Sequence, residues 1–437
     1  MTKPRQDGLL LLSLGIVTFL LGGIALEVEL ANSMIDFKLL YYSARTLLQH
    51  GNPYDAGQVL GLYRAESVKP TTDIVQTLVI SHPIYLPTAF TFIIPFAALP
   101  WELAQILWIT LIAGSLAVSA YLMWKVAALK APVVAGALLA LLLVNCILLL
   151  FLGNAAGIAV SFCVIAAFSF ISRKFEYVGV LCLAISLMLK PHDSGLVWLY
   201  FLISGGVYRK RAMQVLVVAF ALSLPAVLWV THVAPSWIHD LRANLSADSP
   251  LARFNDPAKE SLQQASSNMV IDLEAALSTF SSDPQVYRVG AYVVCGTMLV
   301  LWLISTVRLR GSMEWFALAS VVPITMLVTY HRPYDATLLM LAVPAVASLW
   351  ITGGTVARAG ATLTVLGIIL TGTIPLAALS KMADHVHLGS GTLGTCLSLL
   401  VFKHPAPLIL LVLSIFYLWI LVKMAKDRLP LQDAPMD

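Results

Sequence analysis

The feature that most constrains this chain is a series of apolar runs, most of them about 15 to 20 residues long, which is close to the length that a helix needs to cross a bilayer. Of the 437 residues, 59% are hydrophobic and 11% are charged. In soluble proteins about 45–50% of the residues are apolar and about 25% are charged. The pattern excludes a cytosolic enzyme, a nucleic-acid-binding protein and a secreted disulfide scaffold. We therefore expect an all-α polytopic membrane protein, with residues 1–437 forming a single integral membrane domain.

The apolar runs predict about twelve membrane-spanning helices. Their predicted ranges are 9–27, 103–124, 132–151, 155–172, 176–190, 194–207, 213–231, 287–306, 314–330, 336–351, 359–378 and 405–423. Lys3 and Arg5 precede the first run, but no small-residue cleavage site follows it clearly. We therefore expect a retained first span rather than a removed signal peptide.

One further apolar stretch, 84–99, is short and contains two prolines. If it crossed the membrane, the basic loops 208–211 and 308–310 would lie opposite the basic amino terminus. If it enters and returns, all of these basic segments lie on the cytoplasmic side, as the positive-inside rule favours. We therefore predict a re-entrant segment, whose backbone must be buried against other helices. In this topology all nine histidines lie outside or at the outer boundary.

The predicted loops differ greatly in length between the two faces. The outer loops are 28–102, 232–286 and 379–404, whereas the cytoplasmic connections are only a few residues long. Long loops are usually functional or disordered, and the first one contains aromatic residues and prolines suited to packing. We therefore expect the chemistry to take place on the exoplasmic or periplasmic face of the plasma (inner) membrane.

The first outer loop begins with a predicted amphipathic helix that contains Tyr42 and Arg45 and that Asp36 precedes. Its apolar residues recur at helical spacing, at Leu39, Leu40, Ala44, Leu47 and Leu48. Asp36 could cap this helix and complement its dipole. It could instead be a general base, because an ordinary aspartate is ionised at neutral pH and can accept a proton from a sugar hydroxyl. Tyr54 and Asp55, after a Gly-Asn-Pro turn, could line a site or merely close the turn.

Ionisable residues at a membrane boundary are candidates for function. Lys190 ends an apolar run that faces outward, where it could bind a lipid phosphate or extend to the interface. His192 and Asp193 follow it in the turn and could orient it. His82 opens the re-entrant segment and could be a proton acceptor, a phosphate partner or an ordinary polar boundary residue. Asn154 lies between two spans and is able to reach a polar head group.

The segment 329–339 carries dense polarity between two spans, with His331, Arg332, Tyr334 and Asp335 in five residues. Arg332 offers a planar guanidinium that suits a phosphate. His331 could donate a proton to the substrate or accept one from it, and Asp335 could simply pair with Arg332.

The sequence predicts no bound cofactor and no metal site, although it leaves a divalent-metal requirement open. His385 and His387 alternate in the last outer loop but have no third ligand nearby, which is weak evidence for zinc. The phosphate-binding loop, the dinucleotide fingerprint and the hydrolase nucleophile elbow are all absent. The cysteines lie in or beside apolar runs without paired spacing, and we interpret them as packing residues: Cys146, Cys163, Cys182, Cys295 and Cys396.

The order of these motifs resembles that of polyprenyl-phosphate-sugar-dependent glycosyltransferases with the C-type membrane fold. An aspartate after the first span is followed by "YYSARTLLQHGNPYD", "HPIYLP", "LGNAAG", "LKPHD" and "YHRPYD". Over about residues 9–350 the chain most resembles glycosyltransferase family 87, which includes mycobacterial phosphatidylinositol-mannoside mannosyltransferases. That family usually has glutamine where Asn154 stands and a second proline where Ile84 stands, and these departures concern substrate details more than fold.

The resemblance implies an activity and roles for several residues. Asp36 matches the aspartate that activates the acceptor hydroxyl, and Lys190, His331 and Arg332 match polar positions near the donor phosphate. The hydroxyl would attack C1 of a hexose, in this family often mannose, with inversion at that carbon. The implied partners are a polyprenyl-phosphate-sugar donor, a lipid or glycan acceptor and membrane lipids, without any nucleic acid.

Two other functions compete with this interpretation. A transporter or flippase for a lipid-linked saccharide would usually show repeated halves and a binding site near the midplane, and the sequence shows neither. A non-enzymatic membrane assembly factor would bind partners through its outer loops. The loop 232–286, with its polar stretch 261–268, could serve that role or could cover an active site.

Overall fold

The computed structural model describes residues 2–30, 33–67, 73–246, 249, 269–383 and 392–427. Within these ranges the secondary structure is entirely helical. In chain order the α-helices are α1 Lys3–Glu29, α2 Ile35–Leu48, α3 Ala56–Glu66, α4 Ile74–Ile80, α5 Pro87–Ala97, α6 Trp101–Ala127, α7 Pro132–Asn145, α8 Leu148–Leu152, α9 Ala156–Ser172, α10 Glu176–Leu189, α11 Pro191–Ile203, α12 Gly206–Val233, α13 Trp237–Leu245, α14 Leu273–Leu277, α15 Pro284–Leu309, α16 Glu314–Val328, α17 Val343–Thr352, α18 Gly354–Leu370, α19 Thr373–Ala383, α20 Thr392–Ser398 and α21 Pro405–Asp427. A 3-10 helix, Pro333–Ala342, precedes α17, and a π-helix, Leu399–Lys403, precedes α21.

Seven helices in the described part of the chain are long and apolar enough to cross a membrane. They are Lys3–Glu29, Trp101–Ala127, Pro132–Leu152, Gly206–Val233, Pro284–Leu309, Pro333–Thr352 and Pro405–Asp427. The pair α18 and α19 adds an eighth if it is one span, although it is bent by 77° at the break. These helices confirm the prediction of a polytopic helical membrane protein.

Helices occupy all twelve of the ranges predicted as spans, but several are shorter than a bilayer crossing. The helices α9, α10, α11 and α16 have 17, 14, 13 and 15 residues. Thirteen residues of α9 are buried, so this helix packs against protein on most sides and its length is not set by lipid thickness. The number of twelve crossings therefore stays a prediction.

Glycine residues bring α1 and α7 into close contact. A Cβ atom on Gly8 would lie 2.2 Å from the carbonyl oxygen of Pro132, and one on Gly136 would lie 2.1 Å from the carbonyl oxygen of Gly8. Only glycine allows the two backbones to come this close, as small residues commonly do between membrane helices. Gly15 meets Ala140 one step further along the same interface.

The helix α2 forms where the sequence predicts it, but it is more deeply embedded than a helix lying on an interface. Ten of its fourteen residues are buried, because α3, α4 and α5 of the same loop pack over it. Phe37 stacks on Trp108 of α6, with ring centroids 4.5 Å apart. This aromatic contact holds the first turn of α2, and with it Asp36, against the long helix α6.

The predicted re-entrant segment contains α5, an eleven-residue helix, and its length of about 16 Å is roughly half of a hydrocarbon core. Pro87 begins the helix, Pro95 lies inside it, and α6 starts after a short turn at Trp101. Its buried residues pack against α2, α10 and α12, as a re-entrant backbone requires. Whether it enters the membrane stays a prediction.

Candidate functional site

A tight turn after α8 brings the start of α2 to the end of this helix. Gly153 has φ +63°, and a Cβ atom there would lie 2.8 Å from Met34 and 2.9 Å from Phe37. The amide of Met34 donates to the carbonyl of Phe151 at 2.6 Å, and Trp108 donates through Nε1 to the carbonyl of Gly153 at 2.8 Å. Glycine is needed here for both its conformation and its size.

Asp36 and Asn154 meet across this turn. Asn154 donates through Nδ2 to the Asp36 carboxylate at 2.7 Å, and its Oδ1 accepts from the amide of Ala156 at 2.8 Å, so the orientation of the Asn154 amide is fixed. The alternative that Asp36 caps α2 is wrong, because the helix begins at Ile35 and its N-cap is Met34, without a side-chain cap. Asp36 lies instead in the first turn, where its charge complements the helix dipole.

The Asp36 carboxyl is only partly exposed to solvent. Burial raises its pKa above the ordinary aspartate value, and the hydrogen bond from Asn154 together with the positive charges of Arg332 and Lys190 offsets part of that rise. Asp36 therefore faces both cations while it remains a stronger base than an exposed aspartate, as a group that accepts a substrate proton should.

Lys190 sits at the break between α10 and α11, where its backbone is not helical because Pro191 follows. Its Nζ lies 2.7 Å from Asp335 Oδ1 and 3.5 Å from Asp193 Oδ2. The side chain is buried and also lies over the Tyr334 ring, 5.5 Å from its centroid. Lys190 therefore does not extend to an interface, which was the alternative to a functional role.

His331 is completely buried beside Asp193, which is also buried. Its Nδ1 faces the Thr329 carbonyl at 2.8 Å, and its Nε2 faces Asp193 Oδ1 at 3.1 Å. Burial alone would lower the pKa of His331, but the hydrogen bond to Asp193 and the negative charges of Asp335 and Asp193 outweigh burial and raise it. Because both ring nitrogens face these acceptors, His331 is held within the protein rather than directed at a substrate.

Arg332 and Asp335 are joined through the backbone. The amide of Arg332 donates to Asp335 Oδ2 at 2.8 Å, while Oδ1 of the same carboxylate holds Lys190. The half-buried guanidinium of Arg332 donates through Nε to the Tyr330 hydroxyl. Asp335 therefore links Lys190 to the backbone at Arg332.

His192 is the most exposed member of the cluster, with 36% of its side chain accessible. Its Nε2 lies 3.5 Å from Asp193 Oδ1, and its ring centroid lies 5.1 Å from that of His331. The ligand atoms of His192, Asp193 and His331 all lie within 4.8 Å of one another. The sequence did not suggest this group, and His385 and His387, the pair that it did offer, lie outside the described residues.

Four predicted site residues make their recorded contacts elsewhere. His82 faces its own segment, with Nδ1 2.8 Å from the Leu78 carbonyl. Tyr42 lies in an aromatic layer against Trp101, and Arg45 pairs with Glu66 at 2.6 Å. The Tyr54 hydroxyl donates to the carbonyl of Tyr85 at 2.7 Å, so Tyr54 holds the backbone at Tyr85.

Tyr85 is a candidate that the sequence analysis did not single out. Burial raises the pKa of its hydroxyl, and the nearby negative charge of Asp36 raises it further. The negative charges of Asp335 and Asp193 also favour the neutral form of the hydroxyl, whereas the positive charge of Lys190 lowers its pKa. The only signal in the sequence was its place inside "HPIYLP", since a lone tyrosine beside prolines has no further distinguishing feature.

Comparisons with protein-family models, with curated proteins and with solved structures find no match to this chain. The resemblance to glycosyltransferase family 87 therefore stays a prediction that rests on the motifs and their order.

Proposed function

We propose that this protein is a polyprenyl-phosphate-sugar-dependent hexosyltransferase of the C-type membrane fold. The observation that carries the proposal is a partly buried carboxylate, Asp36, which Asn154 holds at 2.7 Å and which lies near enough to Arg332 and Lys190 for their positive charges to lower its pKa. Chain segments far apart in sequence supply these groups within an apolar helix bundle, where each isolated charge is costly. The twelve predicted spans belong to this proposal, with the short helices α9, α10, α11 and α16 as its shorter crossings.

In the proposed reaction Asp36 accepts the proton of an acceptor hydroxyl on a lipid or glycan. The hydroxyl oxygen forms a bond to C1 of the hexose while the bond from C1 to the phosphate oxygen breaks, and the electron pair leaves with the polyprenyl phosphate. Attack from the face opposite the leaving group inverts the configuration at C1. The donor phosphate gains one negative charge, so cations that face it stabilise the transition state more than the bound donor.

The two cations have different parts in this mechanism. The guanidinium of Arg332 is half-buried and has the planar form that suits a phosphate, so it contacts the donor directly. Lys190 is held by Asp335 and Asp193, and it contributes its charge at longer range. Through Asp335 it also fixes the backbone amide of Arg332, so Lys190 positions the residue that binds the phosphate.

The remaining details come from the family resemblance. Mannose is the proposed hexose, the polyprenyl tail stays in the lipid, and the reaction takes place on the exoplasmic face of the plasma (inner) membrane.

The test is an assay of the full chain in liposomes with a panel of polyprenyl-phosphate sugars, followed by mass analysis of the lipid and glycan products. We expect D36N to lose about 10²–10⁴-fold in rate, the usual contribution of a general base. The asparagine still accepts the hydrogen bond from Asn154, so folding is kept. The matched control is D55N, because Asp55 caps α3 by accepting from the Gln58 amide at 2.9 Å, which an asparagine also does.

Normal turnover by D36N would remove Asp36 from the mechanism. Movement of a labelled lipid-linked sugar across the bilayer without a new glycosidic bond would instead support the transporter interpretation.

A further inference from the structure

The cluster of His192, Asp193 and His331 has a geometry that the proposed transfer reaction does not use. His192 and Asp193 lie in the first turn of α11, whereas His331 follows α16. His331 Nε2 and His192 Nε2 approach the same oxygen, Asp193 Oδ1, at 3.1 Å and 3.5 Å. Two imidazole nitrogens and a carboxylate oxygen therefore converge on one small region.

These separations match the edges of a metal coordination shell. Ligand atoms about 2.0–2.1 Å from a tetrahedral zinc ion lie about 3.4 Å from one another, and the two measured separations bracket that value. The two histidine nitrogens lie no more than 4.8 Å apart, so an ion requires at most a modest shortening of this third edge. The His192 side chain is partly exposed and can make that adjustment, while His331 and Asp193 stay fixed in the protein interior.

The surroundings of the cluster orient its ligands as metal sites require. The Thr329 carbonyl lies 2.8 Å from His331 Nδ1, and a proton on Nδ1 that donates to this carbonyl leaves Nε2 as the ligand atom. This is the usual support of a metal-bound histidine. Lys190 pairs with Asp193 through Oδ2, at 3.5 Å, whereas both histidines approach Oδ1, so the ion pair leaves Oδ1 as the ligand atom.

We propose that His192, Asp193 and His331 form a binding site for a divalent transition-metal ion of the zinc class, with its fourth position open. Two imidazoles and one carboxylate are a ligand set that zinc accepts in sites with three protein ligands. Magnesium and calcium prefer oxygen ligands, so a site with two imidazoles does not suit them. The ion would connect α11 to the segment between α16 and the 3-10 helix. The proposal does not depend on the transfer reaction, because it concerns binding alone.

The test is metal binding by the full chain, purified in detergent with a tag that contains no histidine and then stripped with a chelator. We expect one Zn²⁺ per chain by elemental analysis. Co²⁺ should give the intense visible absorption of a four-coordinate site. H192A removes one of three ligands, and we expect at least about a 10-fold weaker affinity for Zn²⁺, together with loss of the Co²⁺ absorption.

The matched control is H82A, because His82 is also accessible to solvent in part, but its ring faces Ser81 and the Leu78 carbonyl of its own segment. It should bind both ions as the wild type does. Because His192 is at the edge of the cluster, H192A tests the site without removing a buried side chain. D193N, which is isosteric, is the second variant and should also weaken binding. Wild-type protein without stoichiometric Zn²⁺, or H192A with unchanged affinity and spectrum, would overturn the proposal.

Discussion

The two ends of α10 both bury charged groups, but they do so in different ways. At the N-terminal end Glu176 pairs with Arg211, and Arg173 lies nearby over the ring of Tyr208. At the C-terminal end Lys190 is shared between Asp193 and Asp335, and His331 also contacts Asp193. The first set is partly open to solvent, whereas Lys190 and both of its carboxylates are almost fully buried.

This difference in burial indicates that the charged groups at the two ends of α10 have different roles. The Glu176 end joins α10 to α12 with pairs that lie close to solvent, which is enough to explain their presence. The Lys190 end carries a buried network whose desolvation is expensive and which well-packed apolar residues would replace at no loss of stability. Such a network is retained for function by default, and the following experiments test whether the two ends really differ.

The largest effect on stability is expected from K190M. This change leaves the carboxylates of Asp193 and Asp335 buried without their shared cation, and breaking a buried ion pair costs about 3–5 kcal/mol. The free energy of unfolding can be measured by denaturant titration in mixed micelles. The double variant K190M/D335L removes the stranded carboxylate as well and should recover part of the loss. A loss under 1 kcal/mol in K190M would show that this end is no more dependent on its charges than the other.

The next effect concerns the turn that positions Asp36. G153A places a Cβ atom at a positive φ and within 3 Å of Met34 and Phe37, which costs about 1–3 kcal/mol in backbone strain alone. We also expect a large loss of sugar transfer, since the first turn of α2 must move. The matched control is G114A, because a Cβ at Gly114 meets nothing within 4 Å. Equal behaviour of the two variants would separate the Gly153 turn from the site.

A smaller effect is expected in the pH dependence of transfer. Burial and Asp335 raise the pKa of Asp36, while Asn154, Arg332 and Lys190 lower it, and the net result is a raised pKa. A general base works only when deprotonated, so activity should rise with pH through this pKa, above the ordinary aspartate range. The same shift means that the native state holds the proton more tightly, so ionisation of Asp36 lowers stability as pH rises.

The rise of activity with pH is the acid limb of the pH–activity profile, and the variant N154A tests whether Asp36 causes it. Removing the hydrogen bond to the Asp36 carboxylate should move the acid limb to higher pH by about one unit, because such a bond contributes about 1.5 kcal/mol and one pKa unit corresponds to about 1.4 kcal/mol. N154Q keeps an amide that can reach the carboxylate and should restore part of the shift. An acid limb that N154A leaves in place would assign the limb to another group.

Sequence patterns predicted the helices well because hydropathy acts locally. The break at Lys190 follows from Pro191, and the polarity at 329–339 marked one part of the site before any contact was known. The contact of His331 with Asp193 joins residues 138 apart, and no local pattern carries that information. For the same reason the sequence offered no metal ligands at His192.

Two of the predicted site residues, Tyr42 and Arg45, make their contacts away from Asp36 for the same reason. Tyr42 and Arg45 lie on the same helix as Asp36, and helical spacing alone does not say that α3 and α5 cover their side of it. Arg45 instead donates to the Ala97 carbonyl at the end of α5, at 2.9 Å. Neighbours in sequence were therefore assigned to one site although the surrounding helices separate them.

The smallest effect is expected from E176Q, and it decides the comparison between the two ends of α10. Arg211 would keep Gln214 Oε1 at 2.8 Å and the Tyr177 ring at 4.7 Å, and a glutamine can still accept from Arg211. Because the cation retains partners near solvent, the expected loss of stability is about 1 kcal/mol or less, with Zn²⁺ binding and sugar transfer unchanged. If E176Q were as damaging as K190M in the same titration, buried charge would stabilise both ends alike, and burial of the Lys190 network would no longer point to function.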